Sequence, residues 1–187
     1  GTRMIFENGT LNPAALGPGN TAMEVIWKGC DRASGKVTVG DLLAALLESG
    51  NNLVLSVVSM ALSQGVGSED LLETVVALHP QSKRKGAFNG ARDAFSPGAL
   101  AALDEFDAGL STRRGLSEEQ TLCLLAAFSF THLDKQDIEL LTALDPAAAA
   151  QKFLSIADEQ IETGDGGGLF DAATGALKNE TVDEEPL

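Results

Sequence analysis

The sequence has no tyrosine, one tryptophan, two cysteines and two histidines among its 187 residues. It contains no G-x-x-x-x-G-K-[ST] phosphate loop, so the usual means of holding a nucleotide is missing. No apolar run approaches the ~20 residues of a membrane span, and no signal-peptide core precedes the first helix pattern. These absences predict a cytoplasmic chain that neither crosses a membrane nor binds a nucleotide.

Basic residues are also scarce. The sequence has 13 lysines and arginines against 27 aspartates and glutamates, which gives a net charge of −14. A surface this acidic repels phosphate backbones, which argues against a nucleic-acid partner. It is compatible with basic or unfolded protein partners, although charge alone does not choose among them.

The few cysteines and histidines do not form a reactive set. Cys30 and Cys123 lie far apart within apolar helical patterns, which predicts two buried thiols rather than a disulfide or a metal site. His79 stands at a helix end before Pro80, and His132 ends an apolar helix, so both are expected to be structural. We therefore predict no catalytic residue, no metal ligand and no cofactor.

Alanine and leucine dominate the remainder, and their spacing predicts an all-α fold. Helix starts carry recognisable capping signals, and a Pro after Ser96 fits the first turn of a further helix. A helix is also expected to run from Asp134 to Leu144. The predicted capping boxes are Thr21 with Glu24, Thr38 with Asp41, and Ser117 with Gln120.

The same order of helix patterns occurs twice. Four helices are predicted over residues 21–80 and four more over 96–160, after an extended lead-in at 1–20. Between them, residues 81–95 form a predicted linker. Its basic run Lys83-Arg84-Lys85 is typical of a solvated linker, with a phosphate or acidic-peptide site as the alternative. Because neither unit buries its apolar stripes well alone, the two should pack on each other.

The two ends of the chain resemble each other. Ile5-Phe6-Glu7-Asn8-Gly9-Thr10-Leu11-Asn12 is similar to Leu169-Phe170-Asp171-Ala172-Ala173-Thr174-Gly175-Ala176-Leu177-Lys178 after a two-residue insertion. The second string follows glycines at 164 and 166–168, which are typical of a flexible linker. We expect residues 161–187 to comprise a linker and the start of a further module of a longer protein, with chance similarity as the alternative.

The second helix of each unit carries a specific pattern. In the first unit it reads Thr38-Val39-Gly40-Asp41-Leu42-Leu43-Ala44-Ala45-Leu46-Leu47, and in the second Ser117-Glu118-Glu119-Gln120-Thr121-Leu122-Cys123-Leu124-Leu125. This doubled pattern resembles the N-terminal repeat of Clp-type chaperones. The resemblance implies an eight-helix domain of two pseudo-two-fold related four-helix repeats, which receives unfolded client or adaptor proteins and has a Clp ATPase as a partner.

Some Clp N-terminal domains use a glutamate in each repeat to recognise phosphorylated arginine. Glu119 matches that glutamate in the second repeat, whereas Gly40 stands at the corresponding position of the first. The resemblance therefore implies a non-catalytic binding module whose two-glutamate site is incomplete. We expect partners to contact partly exposed apolar residues on the two related faces, with acidic residues around them, and the candidates are Phe6, Trp27, Phe106 and Glu119. The alternative is a scaffold that assembles through tandem copies; an enzyme is least expected.

Overall fold

The computed structural model describes residues 5–81, 88–159, 170–171 and 176–177 of the chain. Within these residues the chain is mostly helical, as the sequence predicts. Its α-helices are α1 (Thr21–Arg32), α2 (Val39–Glu48), α3 (Asn52–Met60), α4 (Ser68–Leu78), α5 (Pro97–Ser111), α6 (Glu118–Thr131), α7 (Lys135–Leu140) and α8 (Pro146–Ala157). The short strands are β1 (Phe6–Glu7), β2 (Thr10–Leu11), β3 (Phe170–Asp171) and β4 (Ala176–Leu177).

Two of the three predicted capping boxes form. The Thr38 hydroxyl accepts from the Asp41 backbone N–H at 3.2 Å, and the Asp41 carboxylate accepts from the Thr38 N–H at 2.9 Å. Ser117 and Gln120 make the same reciprocal pair at the start of α6. The predicted box at Thr21 is wrong, because the side chain of the preceding Asn20 caps α1 instead.

A single hydrophobic core joins the residues before and after the predicted linker. Helices α2 and α6 lie at its centre, since every residue from Val39 to Leu47 and from Gln120 to Ala127 is buried. Helix α1 approaches α2 closely at Gly29, where a Cβ atom would lie 2.8 Å from the Leu42 side chain. The two halves therefore share one core, which bears out the expectation that they pack on each other.

The predicted lead-in contains a short hairpin within its described residues, 5–20. Strands β1 and β2 form an antiparallel hairpin around Asn8 and Gly9, which both have positive φ angles, as a two-residue turn of this kind requires. The hairpin is bonded to the second part of the predicted linker, because Leu11 N–H donates to the Gly90 carbonyl and Arg92 N–H to the Gly9 carbonyl. The basic run of the linker, Lys83 to Lys85, lies outside the described residues.

Helix α7 is shorter than predicted and ends at Leu140. The chain beyond it instead forms a bridge with the residues after α3, where Leu62 pairs with Leu144. Backbone bonds from Ser63 to Ala143 and from Asp145 to Ala61 hold this bridge at 2.8 and 2.9 Å. The bridge ties the end of the third helix to the segment between the last two.

None of the helices described is by itself long and apolar enough to cross a bilayer. Helices α2 and α3 reach the required length and apolar content only when taken together, and they are bent by 115° at their junction.

Candidate functional site

The side chain of a histidine occupies the space beside the first turn of α2. Gly40 lies in the first turn of α2, and the imidazole of His79, the residue that follows α4, packs directly against it. A Cβ atom at position 40 would lie 2.0 Å from His79 Nε2, closer than any real contact permits. Only a glycine leaves room for the ring at this helix start.

Two buried aspartates hold the imidazole on either side. His79 Nε2 lies 2.9 Å from Asp137 Oδ1, and His79 Nδ1 lies 3.4 Å from Asp41 Oδ1. The hydrogen bonds to Asp137 and Asp41 outweigh the effect of burial and raise the pKa of His79 from 6.5 to about 9. His79 is therefore a cation at neutral pH, and it joins α2, the end of α4 and α7.

The cluster carries more negative than positive charge. Asp137 Oδ2 is buried without a hydrogen-bond partner in the described part of the chain. The pKa of nearby Asp134 is raised, first by burial and then by the charge of Asp137. Arg32 holds the backbone of the same histidine, since its guanidinium donates to the His79 carbonyl at 2.6 Å and pairs with Glu48.

This arrangement suits a structural ion cluster better than acid–base chemistry. Both ring nitrogens of His79 face carboxylates, so a protonated ring has no lone pair with which to accept a proton. Within residues 5–81, 88–159 and the two short strands near the C-terminus, no group of three acidic, histidine or cysteine side chains could hold a metal ion.

The start of α6 is more open than the start of α2. Gln120 Nε2 donates to the carbonyls of Ile156 and Glu159 at the end of α8, at 3.4 and 3.0 Å. Beside Gln120 lies a cleft of about 480 Å³, which Arg113, Arg114 and Glu159 also line. Burial raises the pKa of Glu159, and Arg113 pairs with Asp158 at 2.5 Å.

The structure places the four predicted binding residues in different surroundings. Glu119 and Trp27 are partly exposed, but Phe6 is only 7% and Phe106 0% exposed. The surface exposure expected of Phe6 and Phe106 is therefore wrong: Phe106 faces the core from α5, and Phe6 packs edge-on against Phe95 at 5.5 Å.

Two of the predicted residues belong to one aromatic row. Phe6 contacts Phe95, Phe95 contacts Phe88, and Phe88 contacts Trp27, with ring centroids 5.5 to 5.9 Å apart and the rings nearly perpendicular. The guanidinium of Arg92 lies 4.8 Å above the Phe6 ring. The row packs the N-terminal hairpin against α1, so its main role is to stabilise the fold.

Sequence reasoning missed two exposed apolar side chains. Met60 at the end of α3 is 69% exposed and Ile138 on α7 is 48% exposed. Both lie on the segments that lead into the Leu62–Leu144 bridge. Ile138 lies on the apolar side of the helix predicted from Asp134, a position typical of the core, but the structure leaves it exposed.

No protein-family model matches the chain, and no curated protein or solved structure matches it either.

Proposed function

We propose that this chain is a non-catalytic protein-binding module that receives unfolded client or adaptor proteins, in the manner of the N-terminal domain of a Clp ATPase. The proposal includes an internal repeat, in which α1–α4 and α5–α8 are two related four-helix units. Its support is the sequence pattern at the starts of α2 and α6 together with a mostly helical fold of eight α-helices in the described residues.

The capping boxes add support for the repeat. In the first unit Asp41, the third residue of α2, reaches His79 at the end of α4. In the second unit Gln120, the third residue of α6, reaches the carbonyls of Ile156 and Glu159 at the end of α8. The second helix of each unit thus uses the same position to hold the end of the fourth.

The observation that carries the binding role is the exposure of Met60 and Ile138. Large apolar side chains at the surface of a folded domain are typical of contact sites for other proteins, and a flexible methionine adapts to varied partners. Their position beside one backbone bridge places both on neighbouring segments. The net charge of −14 on the whole chain favours partners with basic residues.

His79 bears on the mode of recognition. A phosphoarginine site built on both units needs an acidic acceptor at the start of each second helix, and at α2 the space is filled by the imidazole over Gly40. Glu119 is the remaining match, in the second unit. We therefore propose apolar contact, rather than paired glutamates, as the main source of affinity.

The proposal is tested by titrating the chain with a reduced, carboxymethylated globular protein labelled with a fluorophore, followed by anisotropy. We expect saturable binding, and at least fivefold weaker binding for Met60→Ser/Ile138→Ser, because each loss removes apolar area from the contact.

Ala77→Ser is the matched control, since Ala77 is exposed on α4 and belongs to neither of the two segments joined by the bridge, so its replacement should leave the affinity unchanged. A flat titration of the wild-type chain, or equal affinity for the double variant, would exclude this surface as the client site.

One observation favours a scaffold role as the second candidate. Strands β3 and β4 pair in the register of β1 and β2, with Phe170 opposite Leu177 as Phe6 is opposite Leu11. A repeated opening hairpin is expected of a protein built from tandem copies. Sedimentation of a longer chain that contains several copies, without any client, separates this role from client binding because only a scaffold self-associates.

A further inference from the structure

The hairpin formed by β3 and β4 matches the N-terminal hairpin in sequence and in pairing. Phe170 and Leu177 occupy the cross-strand positions that Phe6 and Leu11 occupy in β1 and β2. Asp171 and Ala176 form the next pair, as Glu7 and Thr10 do. A sequence likeness of about ten residues and an identical pairing of its ends are two separate observations that agree.

The N-terminal hairpin is held by a defined seat on the chain. Phe6 packs edge-on against Phe95 and beneath the guanidinium of Arg92. Thr10 pairs with Ala91, flanked by hydrogen bonds from Leu11 N–H to the Gly90 carbonyl and from Arg92 N–H to the Gly9 carbonyl. The seat, formed by Gly90, Ala91, Arg92 and Phe95, therefore contacts one aromatic ring, the turn residue Gly9 and the backbone of the second strand.

We propose that β3–β4 is a second copy of this hairpin and that it docks on the Phe95–Arg92 seat of another copy of the chain, in place of that copy's β1–β2. Phe170 takes the position of Phe6, and Ala176 lies opposite Ala91. The contact is head-to-tail, since the C-terminal hairpin of one chain meets the seat of the next.

The chemistry of the seat admits this exchange. Phe170 supplies the same ring for the edge contact with Phe95 and for the cation above it. The bond from the second strand to the Gly90 carbonyl is donated by the backbone N–H of Leu11, whose counterpart is Leu177, so it does not depend on the change from Thr10 to Ala176. The resident β1–β2 competes for the seat, so exchange increases when Phe6 is removed.

A cross-linking experiment between two full-length chains tests the docking. Thr10 and Ala91 form a non-hydrogen-bonded antiparallel pair, in which Cα atoms lie about 4.5 Å apart and a disulfide fits. The acceptor chain carries Phe6→Ala/Ala91→Cys and the donor chain carries Ala176→Cys. After mild oxidation of the mixture we expect a disulfide-linked heterodimer.

Controls separate docking from random collision. A donor with Phe170→Ala/Ala176→Cys should give at least tenfold less heterodimer, and a donor with Gln151→Cys, exposed on α8, should give none above background. A single chain with Thr10→Cys/Ala91→Cys should close internally, which shows that the pair accepts a disulfide. Far-UV circular dichroism checks that the acceptor is folded.

A second acceptor keeps Phe6 and carries only Ala91→Cys. It provides the test if the Phe6→Ala acceptor does not fold. It should give less heterodimer than the Phe6→Ala acceptor, with the same dependence on Phe170. Heterodimer yields equal for donors with and without Phe170, or absent from both acceptors, overturn the proposal. No client protein is present, so this result is independent of the client titration.

Discussion

His79 Nε2 lies 2.9 Å from Asp137 Oδ1, across 58 residues of sequence, and this contact links the end of the first four helices to α7. Asp41 flanks the same ring from the start of α2. The imidazolium thus connects three elements that the hydrophobic core alone would hold less specifically. Its side chain is 17% exposed, so solvent screens the pair only in part.

The raised pKa of His79 predicts a loss of stability at alkaline pH. A group whose pKa rises on folding stabilises the folded state fully below its unfolded pKa, and this contribution is lost as pH rises through its folded pKa. With a shift from 6.5 to about 9, the free energy of unfolding should fall by about 1–3 kcal/mol between pH 6.5 and 9. Urea denaturation at a series of pH values measures it.

His79→Ala is the variant that isolates this effect. It should lower stability at pH 6.5 and remove most of the decline towards pH 9. The raised pKa values of Asp107, Asp134 and Glu159 concern acidic solution, outside this window. A decline of equal size in the variant would assign the pH dependence to other groups.

Gly40→Ala should destabilise the chain although alanine is the better helix former by about 1 kcal/mol. Its Cβ would meet His79 Nε2 at 2.0 Å and force the ring away from Asp41 and Asp137. We expect a loss of about 2–3 kcal/mol in urea denaturation. Gly35→Ala is the matched control, because a Cβ there meets nothing within 4 Å.

A double variant shows whether the ring is the cause. In a His79→Ala background the space above position 40 is empty, so Gly40→Ala should be neutral or slightly stabilising. If the same loss persists without the imidazole, the close approach of His79 is not what requires glycine at this position.

The helices could be predicted from sequence because their signals are local. Capping boxes join residues three apart, and the leucine stripes repeat within one helix. Thr38 with Asp41 and Ser117 with Gln120 form as predicted. Thr21 does not cap α1 because Asn20, one residue earlier, offers a side-chain acceptor to two backbone N–H groups.

The site could not be predicted, because its contacts are distant in sequence. Nothing local to His79 indicates that Asp41 and Asp137 converge on it. The exposure of individual apolar side chains could not be predicted for a related reason. The apolar pattern assigns a residue to one face of its helix, but whether that face meets another helix depends on packing, which buries Phe106 and leaves Ile138 at the surface.

Gln120 should matter more for what it donates than for its place in the capping box. Gln120→Ala removes the box and two bonds to carbonyls of α8, so we expect a loss of about 1–2 kcal/mol in urea denaturation at pH 7. Gln120→Glu keeps an acceptor for the Ser117 N–H but points a carboxylate at those carbonyls. It should be less stable than Gln120→Ala at pH 7.

The stabilities of the two Gln120 variants should respond differently to low pH. Protonation restores a donor to the glutamic acid, so the deficit of Gln120→Glu should shrink as the pH falls towards 4. Gln151→Ala, at an exposed position of α8, is the control and should stay within about 0.5 kcal/mol of the wild type. If Gln120→Glu matches the wild type at pH 7, the bonds to α8 contribute little.

Both thiols should be inert in the folded chain. Cys30 and Cys123 are buried thiols, as the sequence predicts, and burial followed by the charge of Glu119 raises the pKa of Cys123 to about 12. Because the thiolate is the reactive form, 5,5′-dithiobis(2-nitrobenzoate) at pH 8 should label neither cysteine natively and both in 6 M guanidinium chloride. Ala77→Cys, exposed on α4, should react at once in the native chain. Rapid native labelling of a second thiol in that variant would show that the core around α1 or α6 opens readily.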